Sequence, residues 1–409
     1  MKKLLLSLFA SSLLSIAHAQ TAVNFKKHIS FLASDSLHGR MTGSVDEHNA
    51  AEYIISEFQK MGVPNLKGNF NSRKYLQQFE YHPKTDSVKT TVKGNNVVAF
   101  IDNHAKQTII IGAHYDHLGW GLDAHAHSAY RGEPAIHNGA DDNASGVATI
   151  MELARILVSD ASSSRVLAKH NYLFIAFSGE ELGLYGSKWF AEHTKFDSLK
   201  TDYMLNFDMV GRLDSNKLMI YGNGTSPLWN EAMKKIESPL RIKTSESGVG
   251  PSDHTSFYLK SIPVLHFFSG QHKDYHKPSD DESKINYTGM EEIMAYVIKL
   301  IKELDTIEKI PFTKTKDDTN ESTPKFTVTL GVMPDYTFEG EGMRIDGVTE
   351  GKPAEKAELK AGDVVIQLGD TKVTDMRSYM KALSQFKKGD ITKVRVKRGN
   401  DTVEKDINF

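Results

Sequence analysis

The sequence predicts an α/β domain followed by a smaller β-rich one. Three observations carry that reading. Two apolar runs of strand length, Thr108–Ala113 and Tyr172–Phe177, are too uniformly apolar for a half-exposed strand. Between them Val147, Ile150, Met151, Ala154 and Leu157 recur with helical spacing, so strand, helix and strand form a crossover unit. Far downstream the polar stretch PFTKTKDDTNESTP, residues 311–324, reads as a linker with a proline at each end.

Taken in order, the chain opens with MKKLLLSLFASSLLSIAHAQ. Two lysines, a short apolar segment and Ala17-His18-Ala19 fit a secretory leader cut after Ala19, so residues 1–19 are expected to be removed and the product to be periplasmic or secreted. Residues 20–310 then form the main domain. A helix is expected from Val45 to about Met61, with Ala50, Tyr53, Ile54, Phe58 and Met61 on one stripe. Residues 70–104 read as short strands, with Gly94-Asn95-Asn96 as a turn. After the two buried strands, Tyr203–Phe207 and Ile262–Phe268 are further strand candidates, and a helix over Thr288–Leu304 closes the domain. Residues 325–409 are expected to hold strands at Thr327–Val332, Met343–Val348, Asp363–Leu368, Thr392–Arg398 and Thr402–Ile407, with a helix over Asp375–Phe386.

Composition removes several classes of function. Lys and Arg number 50 against 52 Asp and Glu, a balance unlike that of a basic nucleic-acid binder or an acidic disordered chain. No nucleic-acid module is apparent. Beyond the leader, no stretch approaches the apolar length that spans a bilayer. With no cysteine there is no disulfide framework, thiol nucleophile or iron–sulfur centre, and any metal must be held by His, Asp and Glu.

Five segments with such side chains sit at predicted strand ends or helix starts. They are His114-Tyr115-Asp116, the run GADDNASG at 139–146, Ser178-Gly179-Glu180-Glu181, Asn206-Phe207-Asp208, and Asp274-Tyr275-His276. Ligands of open α/β sheets bind beyond the carboxyl ends of the strands, so one cleft can gather all five. Two histidines and three carboxylates, one of them bridging, make two mixed nitrogen and oxygen sites, which suit a pair of zinc ions. Asp116, two residues beyond His114, lies on the same side of an extended chain and can orient the imidazole. Consecutive Glu180 and Glu181 point apart, so one can bind metal while the other stays free to move a proton.

These segments resemble the M28 family of zinc-dependent exopeptidases, over most of residues 22–305, with GADDNASG followed by SGEE the specific pair. The resemblance implies a mixed, mostly parallel central sheet flanked by helices, and two zinc ions per chain. It implies His114 and Asp208 on the first ion, Glu181 and His276 on the second, Asp141 as the bridge, and Glu180 as general base. Asp116 and Asp142 are implied as supporting neighbours, with a cis bond between Asp141 and Asp142. Ser252–Phe257 resembles a segment lining the family's pocket, which makes His254 a candidate substrate contact. Arg212 is another, since it follows Asp208 closely. His117, His125, His127 and His137 read as surface or rim histidines.

Residues 325–409 resemble a PDZ domain of the bacterial type, through Glu341–Ile345, Gly351–Ala354 and Leu359–Val365. That resemblance implies a groove between the Met343–Val348 strand and the following helix, which takes a peptide C-terminus or strand, with Gly342 and Met343 in the carboxylate loop. The expected activity is aminopeptidase, hydrolysing the N-terminal bond of peptides. The alternatives are a carboxypeptidase or dipeptidase of the same family, a glutaminyl cyclase, and an inactive PDZ-bearing peptide-binding protein.

Overall fold

The computed structural model describes residues 21–66, 75–81, 91–121, 133–162, 165–305, 307–315, 328–334, 338, 340–348, 351–374, 376–399 and 401–409. The expected leader, His125 and His127 lie outside the described residues. The chain divides into two compact units, one taking the residues up to Gly270 and His276–Asp317, the other Asp318–Phe409 with Gln271–Tyr275.

The first unit is built on an eight-stranded sheet. Its strands are β1 (Leu76–Tyr81), β2 (Val92–Ile101), β3 (Thr108–His114), β4 (Asn171–Phe177), β5 (Thr201–Phe207), β6 (Lys217–Tyr221), β7 (Arg241–Ser245) and β8 (Val264–Phe268). Their spatial order is β1-β2-β4-β3-β5-β8-β6-β7. The four central strands, β4, β3, β5 and β8, are mutually parallel. The sheet is therefore mixed with a parallel centre, as the sequence predicts.

The reason β3 reads as an unbroken apolar run is that both its faces are covered. Ile109 and Ile111 belong to one hydrophobic cluster, with the helices Val45–Lys60, Gly146–Ser162 and Tyr287–Leu304. Ile110 belongs to another, with Phe190, Phe257 and Phe177 on the opposite face. Alternation along the strand thus feeds two cores at once. Val147, Ile150, Met151, Ala154 and Leu157 are all buried, which confirms the helical stripe between the buried strands.

Three expectations need correction. Gly94-Asn95-Asn96 is not a turn but lies inside β2. Gly94 is needed there for close packing, because a Cβ would meet the Phe79 ring at 2.3 Å. Asn96 is a buried bridge, donating to Gln77 and to the Gly186 carbonyl, both at 2.9 Å. Strands β6 and β7 were not foreseen. They are short and at the sheet margin, and β7 is only half covered. The first residues of the expected linker, 312–315, are held on the first unit. Thr313 N donates to Thr225 O at 2.7 Å, Thr315 N donates to the Tyr258 hydroxyl at 2.9 Å, and Phe312 packs on Tyr258.

The second unit carries β9 (Val332–Pro334), β10 (Met343–Val348), β11 (Val364–Leu368), β12 (Thr371–Lys372), β13 (Ile391–Arg398) and β14 (Asp401–Asn408), plus a helix at Met376–Leu383. The order is β14-β13-β11-β10-β9, with β12 on β11. Its own core gathers Leu330, Met343, Ile345, Val365, Leu368, Tyr379, Leu383, Val394, Val396 and Ile407. Of the first expected strand, Thr327 lies outside the described residues, and among these the strand runs over Val332–Pro334. Gly342 and Met343 do not form an open loop. The Gly342 N–H is bonded to Thr374 O at 2.8 Å, and β10 is paired on both sides, by β11 and by β9.

Candidate metal centre

The carboxyl ends of the parallel strands set the site. His114 ends β3, Ser178–Glu181 follows β4, Asp208 follows β5, and His276 lies in the segment after β8. The missing piece is the turn entering the Gly146–Ser162 helix. Gly139 begins it at φ 56, and a Cβ there would fall 2.1 Å from the Asp142 carbonyl oxygen and 2.5 Å from the His117 ring. Only glycine permits that approach. Asn143 then ties the turn to β5. Its side chain donates to Phe207 O at 2.9 Å and accepts from Met209 N at 3.1 Å, holding Asp208 beside the turn.

Two groups of side chains converge with donor atoms close enough to share an ion: His114, Asp142 and Asp208, and His117, Asp142 and Glu181. Asp142 belongs to both. His114 Nε2 lies 3.3 Å from Asp142 Oδ1 and 3.4 Å from Asp208 Oδ1. Two imidazoles flank Glu181, with His117 Nδ1 2.7 Å from Oε1 and His276 Nε2 3.1 Å from Oε2. His276 Nε2 is also 3.1 Å from Asp142 Oδ2. His276 holds that position with φ 55, in the left-handed region. Apart from Asp208, whose side chain is 14% exposed, the set is buried.

The electrostatics match a cation. Burial opposes charge on His114, yet Asp208, Glu180 and the hydrogen bonds to Asp116 and Asp142 outweigh it and hold its pKa well above the usual value. His276 is raised in the same way by Glu181 and Asp142. Burial also opposes charge on Asp142, but His114 and His276 draw its carboxyl well below the ordinary range. Glu181 is lowered to about 2 against its own burial, chiefly through His276. The site thus stabilises concentrated positive charge, and its imidazole and carboxylate donors suit divalent zinc in two positions joined by Asp142.

Glu180 behaves differently. Its carboxyl is pushed well up by burial, with Asp208, Glu181 and Asp253 adding to the rise against His114. It belongs to neither group of metal-competent side chains among the described residues. Its backbone N–H donates to Asp116 Oδ1 at 3.2 Å, and that of Glu181 to Asp116 Oδ2 at 3.4 Å. Thr42 Oγ1 donates to Asp116 Oδ2 at 2.8 Å.

The family model for peptidase family M28 matches residues 96–301, which contain all of these site residues except Thr42. The chain belongs to that family. A PDZ domain model matches residues 311–409. Among M28 relatives, a probable leucine aminopeptidase of Arthroderma otae is 27% identical over 265 residues, 62% of this chain and 65% of that protein. The alkaline phosphatase isozyme conversion protein of Escherichia coli is 32% identical over 211 residues, 51% of this chain and 56% of its own. Aminopeptidase YwaD of Bacillus subtilis is 30% identical over 186 residues, 43% and 40% respectively. The chain therefore spans less than two thirds of the length of each of these relatives. The LapA aminopeptidase of Legionella pneumophila shares the fold at a TM-score of 0.52 and 24% identity, covering 69% of this chain and 72% of that one. So does a glutaminyl cyclase of Bacteroides thetaiotaomicron, at 0.52 and 16%, covering 69% and 97%.

For this M28 chain, the structure brings His114, Glu181, Asp208 and His276 together but not Asp141. The bridging position belongs to Asp142. Asp141 Oδ1 instead accepts from Gly211 N at 2.6 Å and Ser145 Oγ at 3.0 Å, turned toward the helix start. The cis bond is likewise one residue later, between Asp142 and Asn143. The Asp116 carboxylate serves mainly the Glu180–Glu181 backbone, while its own carbonyl is the nearer partner of His114 Nδ1, at 3.2 Å against 3.7 Å.

His254 is fully buried and stacks on His266 at 4.5 Å between centroids, with burial driving its pKa well down. Neither of its ring nitrogens has a hydrogen-bond partner among the described residues. Arg212 is half-buried, and its N–H donates to Ser269 Oγ at 3.2 Å. His117 and His137 are buried, not rim residues.

Sequence reading also missed Glu47. Its carboxylate accepts from Gly43 N at 2.6 Å and from the Ser178 hydroxyl, bracing the strand end before Glu180, and burial lifts its pKa to about 8. The clue available was Ser44-x-x-Glu47, which reads only as a helix cap.

Proposed function

We propose that the chain is a dinuclear zinc aminopeptidase that removes residues from the free N-terminus of peptides. The observation that carries this is the pair of buried clusters joined at Asp142, with the carboxyl of Glu180 beside them and outside both. Bound zinc would polarise the scissile carbonyl and lower the pKa of the attacking water. His114, Asp208 and Asp142 are the residues for one ion; for the other they are Glu181, Asp142 and, in place of His117 of the second cluster, His276, whose Nε2 is 3.1 Å from both carboxylates while His117 Nδ1 is 3.9 Å from Asp142. Glu180 accepts the water's proton and passes it to the leaving amine. The raised proton affinity that burial gives it suits both steps.

An exopeptidase must also recognise a chain end. Asp142, Glu180, Glu181 and Asp208 make the site rich in acid, which favours a free amine. A carboxypeptidase needs a cationic clamp, usually an arginine fork, and Arg212, four residues beyond Asp208, is the one candidate the sequence reading offers for it. The names of the relatives as aminopeptidases support the same direction. The test is a timed digest of one peptide in four forms, with either end free or blocked. Acetylation should abolish cleavage and C-terminal amidation should change little. A ladder shortening from the C-terminus would reverse the reading.

The second unit is proposed to bind an extended peptide. Since β10 is flanked on both sides, an added strand would pair with a terminal strand of the sheet, β9 or β14, and β9, the neighbour of β10, is the one proposed. Export through the N-terminal leader is part of the same proposal, and cell fractionation tests it. Among the described residues no helix is long and apolar enough to cross a membrane.

A further inference from the structure

Arg40 is an arginine with no exposed surface, and its guanidinium is hydrogen-bonded entirely to backbone carbonyls. Nε donates to Tyr115 O at 2.7 Å. Nη1 donates to Leu32 O at 2.8 Å and to Asn138 O. Nη2 donates to Gly139 O at 2.7 Å and reaches Asp142 O at 3.4 Å. Burying a cation is costly unless its donors are satisfied, and here all three nitrogens are. Its route inward depends on Gly39, at φ 72, where a Cβ would fall 2.5 Å from His137 O and 2.6 Å from Gly119 O.

Those carbonyls are not arbitrary. Tyr115 lies between His114 and Asp116, and Asn138, Gly139 and Asp142 form the turn that carries the shared carboxylate. The opposite side of that turn is held by Asp280. Its Oδ2 accepts from Asp141 N at 2.9 Å and Asp142 N at 3.0 Å, and its backbone carbonyl accepts from Ala140 N at 3.0 Å. The turn is gripped by a cation on its carbonyls and an anion on its N–H groups, each the charge-assisted partner of its side.

We propose that Arg40 and Asp280 are positioning residues that set the separation of His114 and Asp142, so that the metal centre is organised before an ion arrives. The inference rests on the dinuclear reading above. Neither side chain is assigned as a ligand; their contacts are to the backbone of Asp142 and of residues close to His114 and Asp142 in the chain. Loss of the Arg40 grip lets the two segments drift apart, loss of the Asp280 grip loosens the turn itself, and in either case zinc binding must do the ordering, which weakens it.

The test compares Arg40→Lys with wild type, both stripped by chelator and then titrated with zinc alone. A merely structural arginine would lower the melting midpoint of the stripped and zinc-loaded forms equally. A positioning role instead shrinks the zinc-induced rise in midpoint, since that rise reports affinity. The expected result is a zinc dissociation constant raised by about tenfold or more, with a KM that changes less than kcat. Affinity within twofold of wild type, with both forms equally destabilised, would overturn the proposal. If Arg40→Lys does not fold, the isosteric Asp280→Asn decides by the same titration. A rise of about threefold or more supports the proposal, because a neutral acceptor holds the two N–H groups more weakly, and a smaller change overturns it. The zinc titrations and melting midpoints are independent of peptide cleavage, so failure of the aminopeptidase reading would leave them interpretable.

Discussion

The carboxylate of Asp116 accepts the backbone N–H of Glu180 at 3.2 Å. One side chain on the segment after β3 therefore fixes the segment after β4, where the proposed base and a proposed ligand are consecutive. Asp116→Asn keeps the shape but weakens acceptance of the Glu180, Glu181 and Thr42 donors. Lost charge-assisted bonds of this kind are worth about 1.5–3 kcal/mol. The expectation is a fall in kcat of about tenfold or more with zinc content unchanged, measured by steady-state kinetics beside elemental analysis.

Glu180→Gln tests the base directly. General acid–base groups typically contribute about 10²–10⁴-fold, and the variant should lose at least about 10²-fold in kcat while keeping both ions. Turnover near that of wild type would remove Glu180 from the role.

Asp142→Asn and Asp141→Asn separate the neighbouring aspartates. The first should lower zinc at both positions, because both clusters use Asp142. The second should retain the ions, since Asp141 Oδ1 is held by Gly211 and Ser145. Metal content of the two purified variants gives the answer, and the reverse pattern would restore Asp141 as the bridge.

His170, at the start of β4, lies at the opposite end of the sheet from the metal centre. Burial would lower its pKa, but hydrogen bonds to Asp202 and Asp305 raise it to about 9. The unfolded value is about 6.5, so the folded form binds the proton more tightly. Its stabilising contribution is complete below about pH 6.5 and is lost as pH rises through about 9. Urea unfolding should therefore show His170→Gln about 2–3 kcal/mol less stable than wild type at pH 6, with a smaller gap at pH 9.5. A gap that does not change with pH would show that the contact carries no charge.

The point of division between the units can also be located. A chain ending at Asp317 keeps Phe312, Thr313 and Thr315 on the first unit and should hydrolyse small substrates within a few fold of the full chain. A chain ending at Ile310 loses those contacts and should melt several degrees lower. Equal melting points would put the boundary back at residue 310.

Much of this architecture was legible because burial imposes patterns. The Ile109–Ile111 run and the Val147–Leu157 stripe could hardly be placed anywhere but in a two-faced core. The gathering of the five segments followed from one rule about strand ends, and the choice of His114, Glu181, Asp208 and His276 within them from the M28 resemblance. What was not legible was orientation at single-residue resolution. Asp141 and Asp142 are chemically identical neighbours, and only the left-handed start at Gly139 and the grip of Gly211 decide which one faces His114. His117 looked like one of several loop histidines because nothing in its spacing shows that Glu181 will come within 2.7 Å. Gly94-Asn95-Asn96 carried turn chemistry, but tight packing and a buried amide bridge used the same residue types inside a strand. Arg40 gave no signal because its partners are carbonyls, which every residue has.

The position of β8 has a consequence for biosynthesis. It is made after β6 and β7 yet inserts between β5 and β6, parallel to one and antiparallel to the other. The sheet cannot close in the order in which it is translated. Until Val264–Phe268 has emerged, β6 and β7 have no strand to join them to the rest, and His276 follows later still. A nascent chain therefore carries an incomplete centre for most of its synthesis, and the residues of the metal centre come together late, near the end of the domain.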